Sequence, residues 1–170
     1  NSAAGITVNF AVAFGGNTNA VFEHLGVQPM TMPRLAIIKT GGASLTLNDS
    51  VTVTAAAGLV SGNIYTSAAT SLILLNGAIY TGGSLASHVI GAVTKIGTQA
   101  FTFPVGGPAS YNPVTMSAPV GATSRFMAEY KNQNPTIDGY NTAVKAGSFG
   151  SALISNAGYW DVQRISGVTN

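Results

Sequence analysis

The stretch SLTLNDSVTVTAAAGLVSGNIYT, residues 44–66, decides the fold class of this chain. It alternates Leu or Val with Thr or Ser, and Asp49 is its one charged residue. Alternation with a period of two is typical of a β-strand that buries one face. Small residues and a Gly-Asn corner then interrupt the pattern before it begins again. The stretch therefore predicts short strands joined by tight corners.

The same pattern of short strand-like runs separated by turn residues recurs along the chain. Runs of β-branched and aromatic residues include RLAIIKT (34–40), SHVIGAVTKI (87–96) and RFMAEYK (125–131), and 21 glycines and 7 prolines punctuate the sequence. Apolar residues at helical spacing are hardly sustained anywhere. Only NAVFEHL, residues 19–25, could form a single helical turn. We therefore expect an all-β fold without a long helix.

An internal similarity favours a solenoid among the all-β folds. Placing Ser44 on Ser71 aligns SLTLNDSVTVT with SLILLNGAIYT, so that Leu45 meets Leu72. Short strands with corners that recur at such a spacing predict coils of a right-handed parallel β-solenoid, whose neighbouring coils bury a shared column of aliphatic side chains. Thr46, Thr52 and Thr54 would then face outward. The predicted inward residues are Leu45, Leu47, Val51, Val53, Leu72, Leu74 and Ile79.

The sequence pattern changes beyond Gly97. Prolines occur at positions 104, 108, 113, 119 and 135, and the strand-like runs lie farther apart. This favours antiparallel strands with longer loops. We therefore predict β-solenoid coils over residues 1–97, in which positions 1–30 form an N-terminal cap, followed by or packed against a small antiparallel β-sandwich over residues 98–170.

The composition excludes several classes of function. Charged residues make up 7% of the chain, against about 25% in an average domain. The net charge is +2, and Lys and Arg are scattered singly, whereas nucleic-acid binding needs clustered basic residues. Cysteine is absent, which rules out disulfides and thiolate metal sites. No apolar run approaches the ~20 residues of a spanning helix. We expect no nucleic-acid partner and no membrane insertion.

Few side chains offer catalytic or metal-binding chemistry. A glycosidase needs two carboxyl groups within about 5 to 10 Å of each other, and Asp49 stands almost alone in the coil half. His24 and His88 lack a partner at ligand spacing and read as surface or corner residues. Asn48-Asp49-Ser50 reads as a turn that bonds its own backbone. We predict no enzymatic activity, no cofactor and no metal. The five carboxylates are Glu23, Asp49, Glu129, Asp138 and Asp161.

Two charged residues lie in apolar strands of the second half. Glu129 lies within RFMAEYK and Arg164 within YWDVQRI, where an unpaired charge would be costly to bury. We expect a structural Glu129–Arg164 ion pair, with Trp160, the one tryptophan, as a core anchor. The alternative is that Trp160 and Tyr159 form a glycan-contact platform.

The second half also resembles a family of sequences. FTFPVG (101–106), Tyr111 with Pro113, Glu129-Tyr130, and Tyr159-Trp160-Asp161 with Arg164 follow one another in order. This series is similar to that of secreted, adhesin-like surface proteins of the Bacteroidetes, in which a Thr/Gly-rich coil region precedes it. The resemblance covers about residues 35–170 and implies export by the type IX secretion route.

From the resemblance we expect an extracellular or outer-cell-surface location and a structural or adhesive role. The chain departs from the family in ending without the sorting tail that this route reads, and we expect it to be a piece of a longer protein. Its predicted partners are like modules or other surface proteins, joined by strand addition into an extracellular filament. A carbohydrate-binding or polysaccharide-degrading domain, with surface glycans as partners, is the alternative.

Overall fold

A computed structural model describes residues 11–24, 30–67, 69–140 and 155–167 of the chain. These residues form sixteen β-strands and one short 3₁₀ helix, and none of them lies in an α-helix. The strands are β1 Ala11–Gly16, β2 Ala20–Phe22, β3 Met30–Lys39, β4 Leu45–Leu47, β5 Val51–Ser61, β6 Ile64–Tyr65, β7 Leu72–Leu74, β8 Ile79–Gly82, β9 Val89–Ile90, β10 Val93–Ile96, β11 Phe101–Phe103, β12 Gly106–Gly107, β13 Ser110–Tyr111, β14 Val114–Met116, β15 Arg125–Lys131 and β16 Tyr159–Ser166; the 3₁₀ helix is Pro135–Asp138.

The first part of the chain is a parallel β-solenoid of about three turns, as the sequence predicts. One sheet has the strand order β1-β3-β5-β7-β10-β15-β16, with β8 also paired to β5. A second sheet has the order β2-β4-β6-β9. Every strand pair within the coils is parallel. Successive coils therefore add one strand to each sheet and share one apolar interior.

The coil register differs from the sequence alignment. Met30 pairs with Val51, Val51 with Leu72, and Leu72 with Val93, so the same sequence offset recurs in all three steps on this side. Leu45 pairs instead with Ile64 in the second sheet. The predicted stacking of Leu45 on Leu72 is therefore wrong, because the two Leu-x-Leu segments lie in different sheets.

The interior consists of aliphatic side chains from both sheets. Of the residues predicted to face inward, six are at most 2% exposed: Leu45, Leu47, Val51, Val53, Leu72 and Leu74. Ile79 is the exception, since it is 53% exposed. It pairs with Ala56, which pairs with the exposed Arg34, so this column points outward. Its neighbour Ala78 is the buried residue of that corner.

Antiparallel strands follow the coils, as predicted beyond Gly97. β15 pairs antiparallel with β10 and with β16, and two further antiparallel pairs join β11 to β14 and β12 to β13. Phe101 and Phe103 belong to the same core cluster as the coil interior, and their rings lie 5.0 Å apart edge to face. The boundary predicted at residue 97 falls within this shared sheet and core.

The N-terminal segment joins the coils directly. β1 pairs parallel with β3, and β2 pairs parallel with β4. Ala20–Phe22 is a strand, which corrects the single helical turn expected in NAVFEHL. Of the predicted cap over residues 1–30, positions 1–10 and 25–29 lie outside the described residues.

Candidate functional site

The outer edge of the large sheet is formed by β16. This strand pairs with β15 from Lys131–Tyr159 to Arg125–Ser166. It is the last strand in the sheet order, and no described strand pairs with its other edge. The sequence motif YWD with Arg164 lies entirely on this strand. The site predicted from sequence is therefore an exposed sheet edge.

Trp160 lies on β16 but is not a core anchor. Its side chain is 47% exposed, so the expected burial is wrong. The indole Nε1 donates a hydrogen bond of 2.8 Å to the carbonyl oxygen of Asn112, and the ring meets that of Tyr130 edge to face at 5.6 Å. These contacts tie the edge strand to the loop that precedes β14.

Tyr159 lies next to Trp160, and adjacent residues on a strand point to opposite faces. The two rings therefore cannot form one flat platform for a glycan. The hydroxyl of Tyr159 donates to the carboxylate of Asp138, and the ring contacts Tyr140 edge to face at 5.5 Å. This hydrogen bond, with a second from Gln133, lowers the pKa of Asp138, and it raises the pKa of Tyr159.

The structure does not bring Glu129 and Arg164 together. Glu129 pairs across the strands with Asp161, whereas Arg164 pairs with Phe126, three positions from Glu129 along β15. Because side chains alternate along a strand, an offset of three places the two charges on opposite faces. The carboxylate of Glu129 instead binds Lys131 at 2.9 Å. The predicted ion pair is therefore wrong.

Two further acidic side chains, those of Asp49 and Asp161, bond the backbone or a neighbouring polar group. Oδ2 of Asp49 accepts a hydrogen bond of 2.6 Å from the backbone N–H of His24, so this carboxylate bonds the backbone of the neighbouring coil. Asp161 accepts one of 2.8 Å from Gln163. Within the described ranges, no three His, Asp or Glu side chains are grouped so as to hold a metal, and no helix has the length and hydropathy to span a bilayer.

Two buried lysines bind the coil corners, which the sequence reasoning missed. Nζ of Lys39 donates to the carbonyl oxygens of Gly15 and Thr18, both at 2.9 Å. Nζ of Lys95 donates to those of Leu75 and Ala78, both at 2.7 Å. Each lysine thus satisfies two carbonyls of the preceding coil. Burial lowers the pKa of Lys95. The only sequence signal was a lysine inside an apolar strand.

His88 is completely buried, which corrects its interpretation as a surface or corner residue. Its Nδ1 lies 2.9 Å from the carbonyl oxygen of Ser84, and its Nε2 lies 2.9 Å from that of Gly107. A neutral imidazole has one N–H, so both carbonyls are satisfied only when both nitrogens carry a proton. The ring joins the last coil to the β12–β13 hairpin.

Comparison with models of known protein families, with curated proteins and with solved structures found no match.

Proposed function

We propose that this chain is a structural and adhesive module of an exported bacterial cell-surface protein, and that β16 joins it end to end to like modules or subunits. The observation that carries the proposal is the position of β16 at the end of the large sheet, with one edge bound to β15 and no described strand on the other. An unpaired edge carries backbone N–H and C=O groups that can pair with another chain.

The side chains of β16 favour such pairing. Trp160, Val162 and Ile165 are 47 to 49% exposed on this strand. Its charged residues are Asp161 and Arg164, one of each sign. Edge strands that resist association usually carry several like charges, a proline or a bulge that turns the edge away. The bulge of β16 lies at its far end, beside Arg125 and Phe126, and leaves the Tyr159–Arg164 segment regular.

A like module is the partner that fits this edge best. Among the described strands, β1 and β16 are the two ends of the large sheet, so pairing of β16 with β1 of the next module would continue the same sheet. Modules joined in this way would form a rod or an extracellular filament. The low charge of 7% and the resemblance of the motif series to exported Bacteroidetes surface proteins support an extracellular or outer-surface location. Other surface proteins could add a strand in the same manner.

Sedimentation velocity over a range of protein concentrations tests the proposal. The unmodified chain should form dimers or longer species as its concentration rises. The double variant Val162→Lys/Ile165→Lys places two positive charges on each edge strand, so it should remain monomeric. Val60 is 61% exposed on β5, and Val60→Lys is the matched control that should still assemble. A monomeric unmodified chain at every concentration, or equal assembly of all three proteins, would refute the proposal.

A further inference from the structure

Two grooves on the outside of the molecule meet at Tyr65. The first has a volume of about 560 Å³ and crosses the corners of successive coils, where Ser44, Ser61 and Asn63 line it. The second has a volume of about 290 Å³ and includes Asn132 and Gln133. Tyr65 lines both grooves. A single extended ligand could therefore lie across the ring and contact both sets of polar groups.

Tyr65 presents an aromatic side chain on the outside of the second sheet. It lies on β6 next to Ile64, which is fully buried, so its ring is on the outer face of the second sheet. Its residue is 37% exposed. In the ladder it stands between Thr46 and Ile90, so no other aromatic residue adjoins it in this register. An exposed aromatic ring with a hydroxyl supplies both apolar area and a hydrogen-bonding group.

The polar groups of the first groove are held in fixed positions. Oδ1 of Asn63 accepts a hydrogen bond of 3.1 Å from the backbone N–H of His88, which fixes the side-chain amide. Ser44, which also lines this groove, is held at the preceding corner, where its backbone N–H donates a hydrogen bond of 3.0 Å to Oδ1 of Asn19, a residue outside the groove lining. Preorganised polar groups lose little conformational freedom when a ligand binds. The corners thus present ordered amides and hydroxyls along the coil axis.

The cations beside the two grooves are already occupied. Lys39 lines the first groove, yet its residue is only 4% exposed and its ammonium is bound to Gly15 and Thr18. Lys131 lines the second groove and is paired with Glu129 at 2.9 Å. Both ammonium groups are thus held by partners within the protein. Apart from Lys39 and the Lys131–Glu129 pair, the polar side chains that line the two grooves are hydroxyls and amides, which favours a neutral ligand.

We infer that the grooves bind a neutral polysaccharide, with one sugar ring stacked on Tyr65. Hydroxyl-rich pyranose rings combine an apolar face with many hydrogen-bonding groups, which matches an aromatic ring flanked by amides and serines. The coils repeat every ~4.8 Å, close to the length of one pyranose unit in an extended glycan. The inference rests on the proposed function in one respect, because it names the class of ligand to which the adhesive module would bind. It does not involve β16.

Titration calorimetry with hexasaccharides tests the inference. The probes are the cello-, xylo-, manno- and galacto-hexamers as neutral glycans and the galacturonate hexamer as an acidic one. At least one neutral hexamer should bind, and Tyr65→Ala should weaken it by about tenfold or more through loss of the stacking surface. Tyr140 is 53% exposed and lines neither groove, so Tyr140→Ala is the matched control and should bind within about twofold of the unmodified chain. Asn63→Ala should also weaken binding.

Three results would overturn the inference: no binding of any neutral hexamer, preference for the galacturonate hexamer, or unchanged affinity in Tyr65→Ala. Loss of binding in Trp160→Ala with Tyr65→Ala unaffected would likewise refute it and move the contact to β16. Circular dichroism verifies that each variant is folded. The Val162→Lys/Ile165→Lys variant should bind the glycan normally, and Tyr65→Ala should assemble normally, so this inference and the proposed assembly can fail separately.

Discussion

Nε2 of His88 lies 2.9 Å from the carbonyl oxygen of Gly107, across the junction between the last coil and the β12–β13 hairpin. The other ring nitrogen lies equally close to the carbonyl oxygen of Ser84, and no part of the residue is exposed. One buried side chain therefore lies within hydrogen-bond distance of backbone carbonyls from two separate segments.

His88→Phe should destabilise the protein, because it keeps a ring of similar shape and removes the two ring nitrogens that lie within hydrogen-bond distance of backbone carbonyls. The carbonyl oxygen of Ser84 keeps its hydrogen bond from the backbone N–H of Ser87, so the main loss is at the buried residue Gly107. One buried carbonyl left unsatisfied costs about 1 to 3 kcal/mol, and the free energy of unfolding should fall by about that amount in urea titrations. Tyr111→Phe keeps the ring beside His88, at 5.7 Å between centroids, and removes a hydroxyl that is hydrogen-bonded to Tyr80, so it is the control for loss of a different hydrogen bond next to the same ring. Equal stability of His88→Phe and the unmodified chain would contradict the role of these bonds.

Lys95 should make stability depend on pH in the alkaline range. Burial lowers its pKa from the ordinary value of 10.5, so the unfolded chain holds this proton to higher pH than the folded chain. Stability rises with pH wherever the unfolded state binds more protons. The free energy of unfolding of the unmodified chain, relative to that of Lys95→Met, should therefore increase as the pH rises towards 10.5, measured by urea titration at several pH values.

Lys131 supplies a control of opposite sign. Its hydrogen bond to Glu129 raises its pKa above 10.5. The stability that it contributes is complete below 10.5 and is lost as the pH rises through the folded value. The difference between the unmodified chain and Lys131→Met should therefore shrink above pH 10.5. Two results would contradict the lowered pKa of Lys95. One is a difference in free energy of unfolding between the unmodified chain and Lys95→Met that does not change with pH. The other is a difference that falls with rising pH, as expected for Lys131→Met.

The hydrogen bond from Tyr159 to Asp138 should be visible in the titration of the carboxylate. This bond is the main cause that lowers the pKa of Asp138 from 3.8, and the bond from Gln133 is the second. Tyr159→Phe removes the first bond, so the pKa of Asp138 should rise towards 3.8, as followed by carboxyl ¹³C shifts. In the unmodified chain, the stabilisation is present above 3.8 and is lost as the pH falls through the lowered value. An unchanged titration in Tyr159→Phe would refute this assignment.

The coil register predicts that alanine substitution lowers the free energy of unfolding by different amounts at two aliphatic residues whose strands both pair with β5. Leu72 is fully buried between Val51 and Val93, whereas Ile79 is 53% exposed. Leu72→Ala should lower the free energy of unfolding by about 2 to 5 kcal/mol, and Ile79→Ala by less than about 1 kcal/mol. Urea titration of the two variants measures both values. Similar costs at the two positions would contradict the register.

The sequence was sufficient to predict the strands of residues 44–54 and their inward face, although it also placed the exposed Ile79 in the interior. The alternation in residues 44–54 predicted that four aliphatic side chains face inward, and all four are buried: Leu45, Leu47, Val51 and Val53. It was not sufficient to predict which strands are neighbours. In the first sheet the step from Met30 to Val51 equals the step from Val51 to Leu72, but the step from Ala56 to Ile79 is longer. In the second sheet the step from Ala20 to Leu45 is longer than the step from Leu45 to Ile64. Corner lengths set these offsets, and they leave no periodic signal.

The buried polar contacts were beyond sequence reasoning for a related reason. The partners of Lys95 and His88 are backbone carbonyls at corners and hairpins, and every residue type supplies the same carbonyl. Nothing in the sequence marks which of them faces a particular side chain. The Glu129–Arg164 prediction failed because charge complementarity is independent of register, whereas the two-residue alternation of the strand decides which side chains meet.

Two glycines with nearly the same backbone angle allow two effects of alanine substitution to be compared: the strain of the left-handed conformation, and the steric clash with the adjacent coil. Gly77 has φ of 82° and Gly82 has φ of 83°, a region that side chains rarely adopt. A Cβ at Gly77 would meet nothing within 4 Å, whereas one at Gly82 would lie 2.0 Å from the carbonyl oxygen of Leu59 on the adjacent coil. Gly77→Ala should therefore cost about 1 to 2 kcal/mol for the left-handed conformation alone.

Gly82→Ala carries the same strain and, in addition, forces β8 away from β5, because a backbone carbonyl cannot move aside as a flexible side chain can. Its melting temperature should fall clearly below that of Gly77→Ala in thermal unfolding followed by circular dichroism. The difference between the two melting temperatures measures how closely one coil backbone must approach the next. If the two variants melt together, the coils tolerate a wider spacing at this corner than the 2.0 Å contact implies.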